Sequence, residues 1–334
     1  MQNEIKIFVS KDWVEYELID TGAGEKLERF GLYTFVRPYE NAVWQKTLPE
    51  SEWNKADGKF WSSKSGGKGG LASLKQRQSG WKITTKISDR WEMSYKGIKF
   101  FASPTPFRHL GFFPEQASHW DFIEEKISKA NLAKNFLETA PSEAKGQGIH
   151  TFLKNSLPNS LVPKIKFLNL FGYTGVASFF ALRAGAEVTH LDASKQTLNW
   201  AKENQKLSGL QDLPMRVIED DAIKFLEREI KRGNKYDAIV MDPPKFGRGP
   251  KGEIWKIEEM LPKLLSAVQK VLSAKPLFVI LTSYATDSSS LSLGYALEEM
   301  MKDFSGSIES GELCVLEKSN NRIIPLANTA VWSI

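Results

Sequence analysis

The sequence predicts an α/β protein, in which a doubly wound parallel sheet forms the second half and a smaller antiparallel β-rich part precedes it. From Lys166 onward, apolar runs of strand length alternate with helical segments of about 10 to 17 residues. These runs are apolar at consecutive positions, as in parallel strands buried on both faces. In the first 115 residues, short runs with period-two patterning alternate with turns, which is typical of a small antiparallel sheet.

Five strands and four helices alternate in the predicted parallel part. The strands are KFLNLF (166–171), EVTHLD (187–192), MRVIED (215–220), YDAIVMD (236–242) and PLFVILTS (276–283). The helices begin near Val176, Ser194, Asp221 and Ile254. Ligands of such sheets bind beyond the carboxyl ends of the strands, so the residues that follow each strand are the candidates for a site.

In the β-rich part, five runs with the period-two alternation of strands predict five strands. They are WVEYELI (13–19), LYTFVRP (32–38), WKITTKI (81–87), WEMSY (91–95) and IKFFASP (98–104). A predicted helix, HWDFIEEKI (119–127), follows them. We therefore divide the chain into residues 1–115, a small basic β-domain, and residues 116–334, in which 116–165 form connecting helices.

Composition indicates a globular protein of the cytoplasm. The 334 residues suffice for about two domains, and 41% are apolar and 25% charged. No apolar run approaches the roughly 20 residues that cross a bilayer, and the first residues lack the pattern of a signal peptide. The single cysteine, Cys314, excludes an internal disulfide and fits a reducing compartment.

Positive charge is concentrated in residues 59–108. This stretch carries eleven Lys and Arg but only two acidic residues, and eight aromatic residues are interleaved with them. Cations for phosphates and rings for bases are what single-stranded nucleic acid binding requires. Alternatively, the aromatic residues form the core of the β-domain and the lysines its solvated face.

Acidic residues and glycines recur at the predicted strand ends. They are Phe171-Gly172-Tyr173-Thr174-Gly175, Asp192-Ala193, Asp221-Ala222 and Asp242-Pro243-Pro244. Glycines admit a ligand close to the backbone, Asp192 is placed for a ribose diol, and Asp221-Ala222 for an adenine edge. Each aspartate alone is also a common helix N-cap. Together they predict a nucleoside cofactor, and the absence of G-x-G-x-x-G disfavours a nicotinamide dinucleotide.

The segment 166–290 resembles class I S-adenosylmethionine-dependent methyltransferases, and among them the bacterial large-subunit ribosomal RNA methyltransferases. The resemblance lies in Asn169 to Gly175, in Asp242-Pro243-Pro244-Lys245-Phe246, and in HLGFFPEQ (109–116) with its Glu115-Gln116. It implies a seven-stranded Rossmann-like sheet whose last strands, near 308–334, include one antiparallel strand. It also implies S-adenosylmethionine as cofactor and RNA as partner. The N-terminal part does not resemble the RNA-binding module that usually opens those proteins.

We therefore expect two sets of site residues. The expected cofactor-binding residues are Gln116, Asn169, Phe171, Gly172, Tyr173, Thr174, Gly175, Asp192, Ala193, Asp221, Ala222 and Asp242. The candidate catalytic residues are Asp242, Pro243, Pro244 and Phe246, which offer a fixed carboxylate, a rigid loop and a ring to stack on a planar acceptor.

The acceptor is expected to be a base nitrogen. Methylation of cytosine at carbon 5 needs a thiolate nucleophile, and the place after the fifth strand reads Thr282-Ser283-Tyr284-Ala285, without a cysteine. Cys314 lies in an apolar run typical of the core. The four histidines show no zinc-ligand spacing, so no metal is expected. A protein or small-molecule methyltransferase and a non-enzymatic RNA-binding protein remain alternatives.

Overall fold

The computed structural model describes residues 4–10, 12–61, 79–139, 164–284 and 289–334, with no side-chain detail for 134–139. The predicted connecting helices of 140–163 and the lysines of 62–78 lie outside these residues. Within them, no helix is both long enough and apolar enough to cross a membrane.

The N-terminal part consists of short strands. In chain order the elements are β1 (Ile5–Val9), β2 (Tyr16–Gly22), β3 (Glu25–Phe30), β4 (Tyr33–Pro38), α1 (Glu50–Trp53), β5 (Gly58–Trp61), β6 (Gly80–Ile83), β7 (Trp91–Tyr95) and β8 (Ile98–Ala102). Strands β2 to β6 form one sheet in that order, and β7 and β8 form a hairpin. The pairs are antiparallel except β4 with β5, because the connection through α1 returns the chain to the same end of the sheet.

The remaining elements follow the predicted alternation. A short 3₁₀ helix (Pro114–Gln116) leads into α2 (Ala117–Thr139). Then come β9 (Lys166–Leu170), α3 (Val176–Arg183), β10 (Glu187–Asp192), α4 (Lys195–Leu207), β11 (Met215–Glu219), α5 (Ala222–Arg232), β12 (Ala238–Met241), β13 (Phe246–Arg248), β14 (Ile254–Lys256), α6 (Ile257–Val271), β15 (Phe278–Ser283), α7 (Ser290–Met301), β16 (Ser307–Leu316) and β17 (Ile323–Ser333).

The main sheet contains the seven expected strands and an eighth. Its order is β1-β16-β17-β15-β12-β9-β10-β11, and β17 runs antiparallel to both of its neighbours. The doubly wound fold and the single antiparallel strand are thus confirmed. The added strand is β1, which pairs in parallel with β16. A Cβ at Gly311 would collide with the Lys6 carbonyl, so this close pairing requires glycine.

Two hydrophobic clusters cover the two faces of the main sheet. On β9, Phe167 belongs to one cluster, and Leu168 and Leu170 belong to the other. The second cluster takes the apolar sides of α5, α6 and α7. The first is continuous with the core of the N-terminal sheet, where residues such as Phe30 pack in the same cluster as α2 and α3.

Candidate active site

A cavity of about 470 Å³ lies beyond the carboxyl ends of β9, β10, β11 and β12. We call it the strand-end cavity. A smaller recess of about 60 Å³ adjoins it and shares Phe171, Tyr173 and Asp242 with it. Each of the twelve expected cofactor-binding residues lines one or both of these spaces: Gln116, Asn169, Phe171, Gly172, Tyr173, Thr174, Gly175, Asp192, Ala193, Asp221, Ala222 and Asp242.

The loop after β9 has an unusual backbone. Phe171 and Tyr173 have φ of 59° and 51°, a left-handed conformation that costs a residue with a side chain roughly 1–2 kcal/mol. A Cβ at Gly172 would collide with the ring of His190. Asn169, at the end of β9, donates to Ser178 Oγ at 3.0 Å and so fixes the start of the loop. Such strain persists where the surroundings hold it, and it is concentrated at ligand sites.

Asp192 holds this loop in place. Its carboxylate accepts hydrogen bonds from Tyr173 N and Ser194 N, both at 2.9 Å, and from Thr197 Oγ1 at 3.0 Å. The N-cap of α4 is Ser194, whose side chain accepts from Thr197 N. Asp192 is therefore not the cap that the alternative interpretation assigned to it. It joins the loop after β9 to the loop after β10 at the wall of the strand-end cavity.

Asp221, in contrast, does cap its helix. It is the N-cap of α5, and its Oδ1 accepts from Lys224 N at 3.0 Å. Its own backbone N donates to Asp220 Oδ1 at 2.9 Å, and the other oxygen of Asp220 binds Arg228. Asp221 and Ala222 line the cavity as well, so capping does not remove Asp221 from the predicted cofactor site.

Asp242 lies at the junction of the cavity and the recess. Gln116 Nε2 donates to Asp242 Oδ2 at 3.2 Å and to Tyr284 Oη at 3.1 Å. His119 Nδ1 lies 3.0 Å from Gln116 Oε1 and fixes the orientation of the amide. Burial, and then the negative charge of Glu115, raise the pKa of Asp242 to about 8. A carboxyl with this pKa takes up or releases a proton near neutral pH.

The Pro-Pro loop leads into a hairpin and not directly into a helix. The helix predicted from Ile254 begins at Ile257, and Ile254–Lys256 pairs with Phe246–Arg248. Trp255 explains the difference, because its side chain is buried and its Nε1 donates to Pro244 O at 2.6 Å. Phe246 is 57% exposed and, unlike Asp242, Pro243 and Pro244, lines neither the strand-end cavity nor the recess.

Aromatic residues that sequence reasoning missed complete the cavity wall. Phe113 lies 4.7 Å from His109, 4.9 Å from Tyr284 and 5.8 Å from Tyr173, measured between ring centroids. Trp255 packs on Phe171 at 5.0 Å. The quoted segment HLGFFPEQ already contained His109 and Phe113, so a signal existed for these two. For Tyr284, the sequence indicated only that no cysteine follows the fifth strand.

Comparison with solved structures adds the deciding observation. A crystal structure of a SAM-dependent methyltransferase from Agrobacterium tumefaciens matches 98% of this chain and 93% of its own, with 36% sequence identity and a TM-score of 0.82. The chain belongs to the S-adenosylmethionine-dependent methyltransferases. Its cofactor is therefore S-adenosylmethionine.

Curated relatives match a smaller part of this methyltransferase. Ribosomal RNA large subunit methyltransferase K of Neisseria meningitidis is 32% identical over 142 residues, 41% of this chain and 40% of that protein. Ribosomal RNA large subunit methyltransferase I of Aeromonas salmonicida is 42% identical over 82 residues, 24% of this chain and 21% of that protein. The chain thus spans two fifths or less of the length of these relatives. A family model described as Conserved hypothetical protein 95 matches residues 147–307.

The residues present suit S-adenosylmethionine. The volume of the strand-end cavity is in the range of cofactor pockets. Its lining contains the carboxyl groups of Asp192, Asp221 and Asp242, which can accept hydrogen bonds from hydroxyl and amino groups, beside the basic side chains of Arg108, Lys245 and Arg248. Phe171 and Trp255 provide apolar walls for a planar ring. Within the described residues, no group of His, Cys, Asp and Glu is placed to hold a metal ion.

The methyltransferase's basic stretch is in large part a packed β-structure. Phe60, Tyr95 and Phe100 are buried, whereas Trp61 and Phe107 are 56% and 71% exposed. Among its cations, several form ion pairs with acids elsewhere in the chain: Lys59 with Glu25, Arg90 with Glu203, Lys96 with Asp121, and Arg108 with Glu40. The core interpretation therefore holds for most of the described rings, and Trp61 and Phe107 are available for stacking.

Cys314 is a core residue, as predicted. It is 1% exposed on β16, and burial raises the pKa of its thiol to about 12. It lines neither the strand-end cavity nor the recess. This thiol is therefore protonated at neutral pH and is not available as a nucleophile.

Proposed function

We propose that this methyltransferase transfers a methyl group to a nitrogen of a base in RNA, with ribosomal RNA as the favoured substrate and the cytoplasm as the compartment. The observation that carries the proposal is Asp242, a carboxyl with a raised pKa at the wall of the cofactor cavity. The two curated relatives described above are ribosomal RNA methyltransferases, which supports RNA as the acceptor class.

The proposed cofactor contacts follow from the lining of the strand-end cavity and the recess. Asp192 is positioned for the ribose diol, and Asp221 and Ala222 for the adenine edge, while the loop from Phe171 to Gly175 presents backbone groups. S-adenosylmethionine supplies an electrophilic methyl group on a sulfonium sulfur. We propose that residues 116–334 hold the cofactor and that residues 1–115 help to hold the acceptor.

The proposed role of Asp242 is proton acceptance. When an amino or ring N–H nitrogen of the acceptor gains a methyl group, it must lose a proton, and the carboxylate form of Asp242 accepts that proton. Gln116 holds the carboxylate in position through its hydrogen bond at 3.2 Å. Pro243 and Pro244 stiffen the loop. For the exposed ring of Phe246, which does not line the strand-end cavity, we propose stacking on RNA outside that cavity.

The proposal is tested by mapping the product. The protein is incubated with labelled S-adenosylmethionine and total RNA from cells that lack it, and the labelled nucleotide is identified. We expect label on a base nitrogen and none on carbon 5 of a pyrimidine. Label that survives RNase treatment and remains with protein or small molecules would refute the RNA proposal.

A further inference from the structure

A second cavity adjoins the strand-end cavity on the side of the N-terminal sheet. It measures about 210 Å³, and we call it the sheet-side cavity. Its lining includes Lys26, Arg37, His109, Phe113, Glu115 and Tyr284. His109, Phe113 and Tyr284 also line the strand-end cavity. The two spaces therefore share an aromatic wall, and Asp242 lies on the strand-end side of it.

One wall of the sheet-side cavity is a buried ion cluster. Glu28 is fully buried and accepts hydrogen bonds from Arg37 at 2.6 and 2.7 Å and from Tyr16 Oη at 2.9 Å, and Lys26 Nζ lies 3.2 Å from it. Although burial opposes its ionisation, Arg37 and Lys26 lower the pKa of Glu28 to about 2. Buried ions add little stability over apolar side chains of similar volume. Lys26 and Arg37 both line the cavity, so this wall presents hydrogen-bond donors to it.

A carboxyl group provides an acceptor elsewhere in the lining. Glu115 is 5% exposed and precedes Gln116 in the 3₁₀ helix. Gln116 bonds both Tyr284 and Asp242, so Glu115 stands beside the hydrogen-bonded chain that reaches the proposed proton acceptor. Burial raises the pKa of Glu115 and lowers the pKa of Lys26. The sheet-side cavity thus contains a carboxyl group that can accept a hydrogen bond, an amino group that can donate one, and aromatic faces.

We propose that the sheet-side cavity receives the planar ring of the methyl acceptor, with Glu115 accepting a hydrogen bond from an N–H group of the ring and Lys26 donating to an oxygen or ring nitrogen beside it. This inference rests on the proposed function and deepens it. Neighbouring donor and acceptor groups on a flat heterocycle are what a nucleobase presents on its pairing edge. The cavity is smaller than those of drug-sized ligands, so it admits one base and not a base pair.

The base that enters is therefore unpaired. A base whose pairing edge is held by Glu115 and Lys26 cannot be paired at the same time, so the substrate is a single-stranded loop or a base extruded from a helix. The ring of Phe113, which lies 4.9 Å from Tyr284 and 4.7 Å from His109, belongs to the aromatic wall against which such a base stacks.

The test compares Glu115→Gln and Lys26→Met with the wild type, and Glu298→Gln, an exposed position on α7, is the matched control. Methyl transfer to RNA is measured together with S-adenosylmethionine binding and thermal stability. Losing one hydrogen bond to a charged group predicts a fall in kcat/KM for RNA of about tenfold to a hundredfold. Cofactor affinity is expected to stay within about twofold, and Glu298→Gln to behave as the wild type. Lys26→Met leaves Glu28 paired with Arg37, so it serves even if Glu115→Gln fails to fold.

A pH profile separates substrate recognition from a structural role. Because the charge of Glu115 raises the pKa of Asp242, Glu115→Gln is expected to move the rising limb of the rate profile to lower pH. Unchanged kcat/KM in both variants, or loss of cofactor binding, would overturn the inference. If the wild type methylates a protein or a small molecule and not RNA, the proposed function fails separately. The inference then survives only if that acceptor carries a planar nitrogen heterocycle and the same variants lower kcat/KM for it, and no change in kcat/KM rejects it.

Discussion

Cofactor binding is expected to tighten as pH rises toward about 8, because the bound cation favours the ionised form of Asp242. Burial and the charge of Glu115 raise the pKa of Asp242 to about 8 in the free protein. A sulfonium in the same cavity lowers it again, since an opposite charge stabilises the carboxylate. If only the ionised form binds, the competent fraction is about 1% at about pH 6 and about half at pH 8. The apparent Kd is then up to about a hundredfold weaker at pH 6 than at its high-pH limit.

Titration calorimetry between about pH 6 and pH 9 measures this dependence. Repeating it in two buffers with different ionisation enthalpies counts the protons released, and we expect nearly one below pH 7. Asp242→Asn is the control, because an amide cannot titrate and its Kd should not vary with pH. A constant wild-type Kd with no proton release would refute the assignment. The folding stability of the free protein depends on pH in the opposite direction to cofactor affinity. Because the pKa of Asp242 is raised in the folded state, the protonated carboxyl stabilises the fold, and that stabilisation is lost as pH rises through about 8.

Three single substitutions and a salt titration test four further points: the cofactor contact of Asp192, the role of Cys314, stacking by Phe246 and phosphate contacts of the lysines. Asp192→Ala is expected to weaken cofactor binding by about 1.5–3 kcal/mol, and unchanged affinity by calorimetry would show that Asp192 only secures the neighbouring loop. Cys314→Ser should retain methyl transfer with a modest loss of stability, and a folded, cofactor-binding but inactive variant would contradict the nitrogen acceptor. Phe246→Ala should weaken RNA binding by about 1–3 kcal/mol without affecting the cofactor, as a stacking ring predicts. Replacing the three lysines of 63–75 with Ala should flatten the log–log salt dependence of RNA affinity by up to about 2 units, whereas parallel lines would exclude phosphate contacts there.

Strands β9, β10, β12 and β15 of the main sheet were predictable because nearly all of their residues are buried and each reads as a mostly apolar run. The buried pattern of Ala238–Met241 shows this directly. Strand β11, at the edge of the sheet, is only half-buried, and it was predicted from its place in the alternation of strands and helices. Strand β1 was not predictable, because three of its five residues are exposed and its partner β16 lies about 300 residues away. The hairpin of β13 and β14 was also missed, since its short strands depend on the burial of Trp255 against the loop after β12.

The site was predictable to the extent that topology alone determines it. The carboxyl ends of parallel strands meet at one edge, which is why residues as distant in sequence as Asp192 and Asp242 line one cavity. The capping role of Asp221 could not be distinguished from a ligand contact in the sequence, because both place the same residue type at the same position. Lys26 reaches the adjoining sheet-side cavity through the packing of the N-terminal sheet, which no local pattern encodes.

Strand β1 also determines how the N-terminal β-rich part of this protein can be exchanged as a module. The chain leaves the main sheet at Val9, forms the N-terminal sheet and the β7–β8 hairpin, and returns through α2. The inserted segment is therefore held at both ends, and it shares one hydrophobic cluster with α2 and α3. Replacement of the module in evolution or by design requires two junctions, one after Val9 and one before Ala117. Grafting at a single junction would strip β16 of its neighbour and leave a bare sheet edge that invites aggregation.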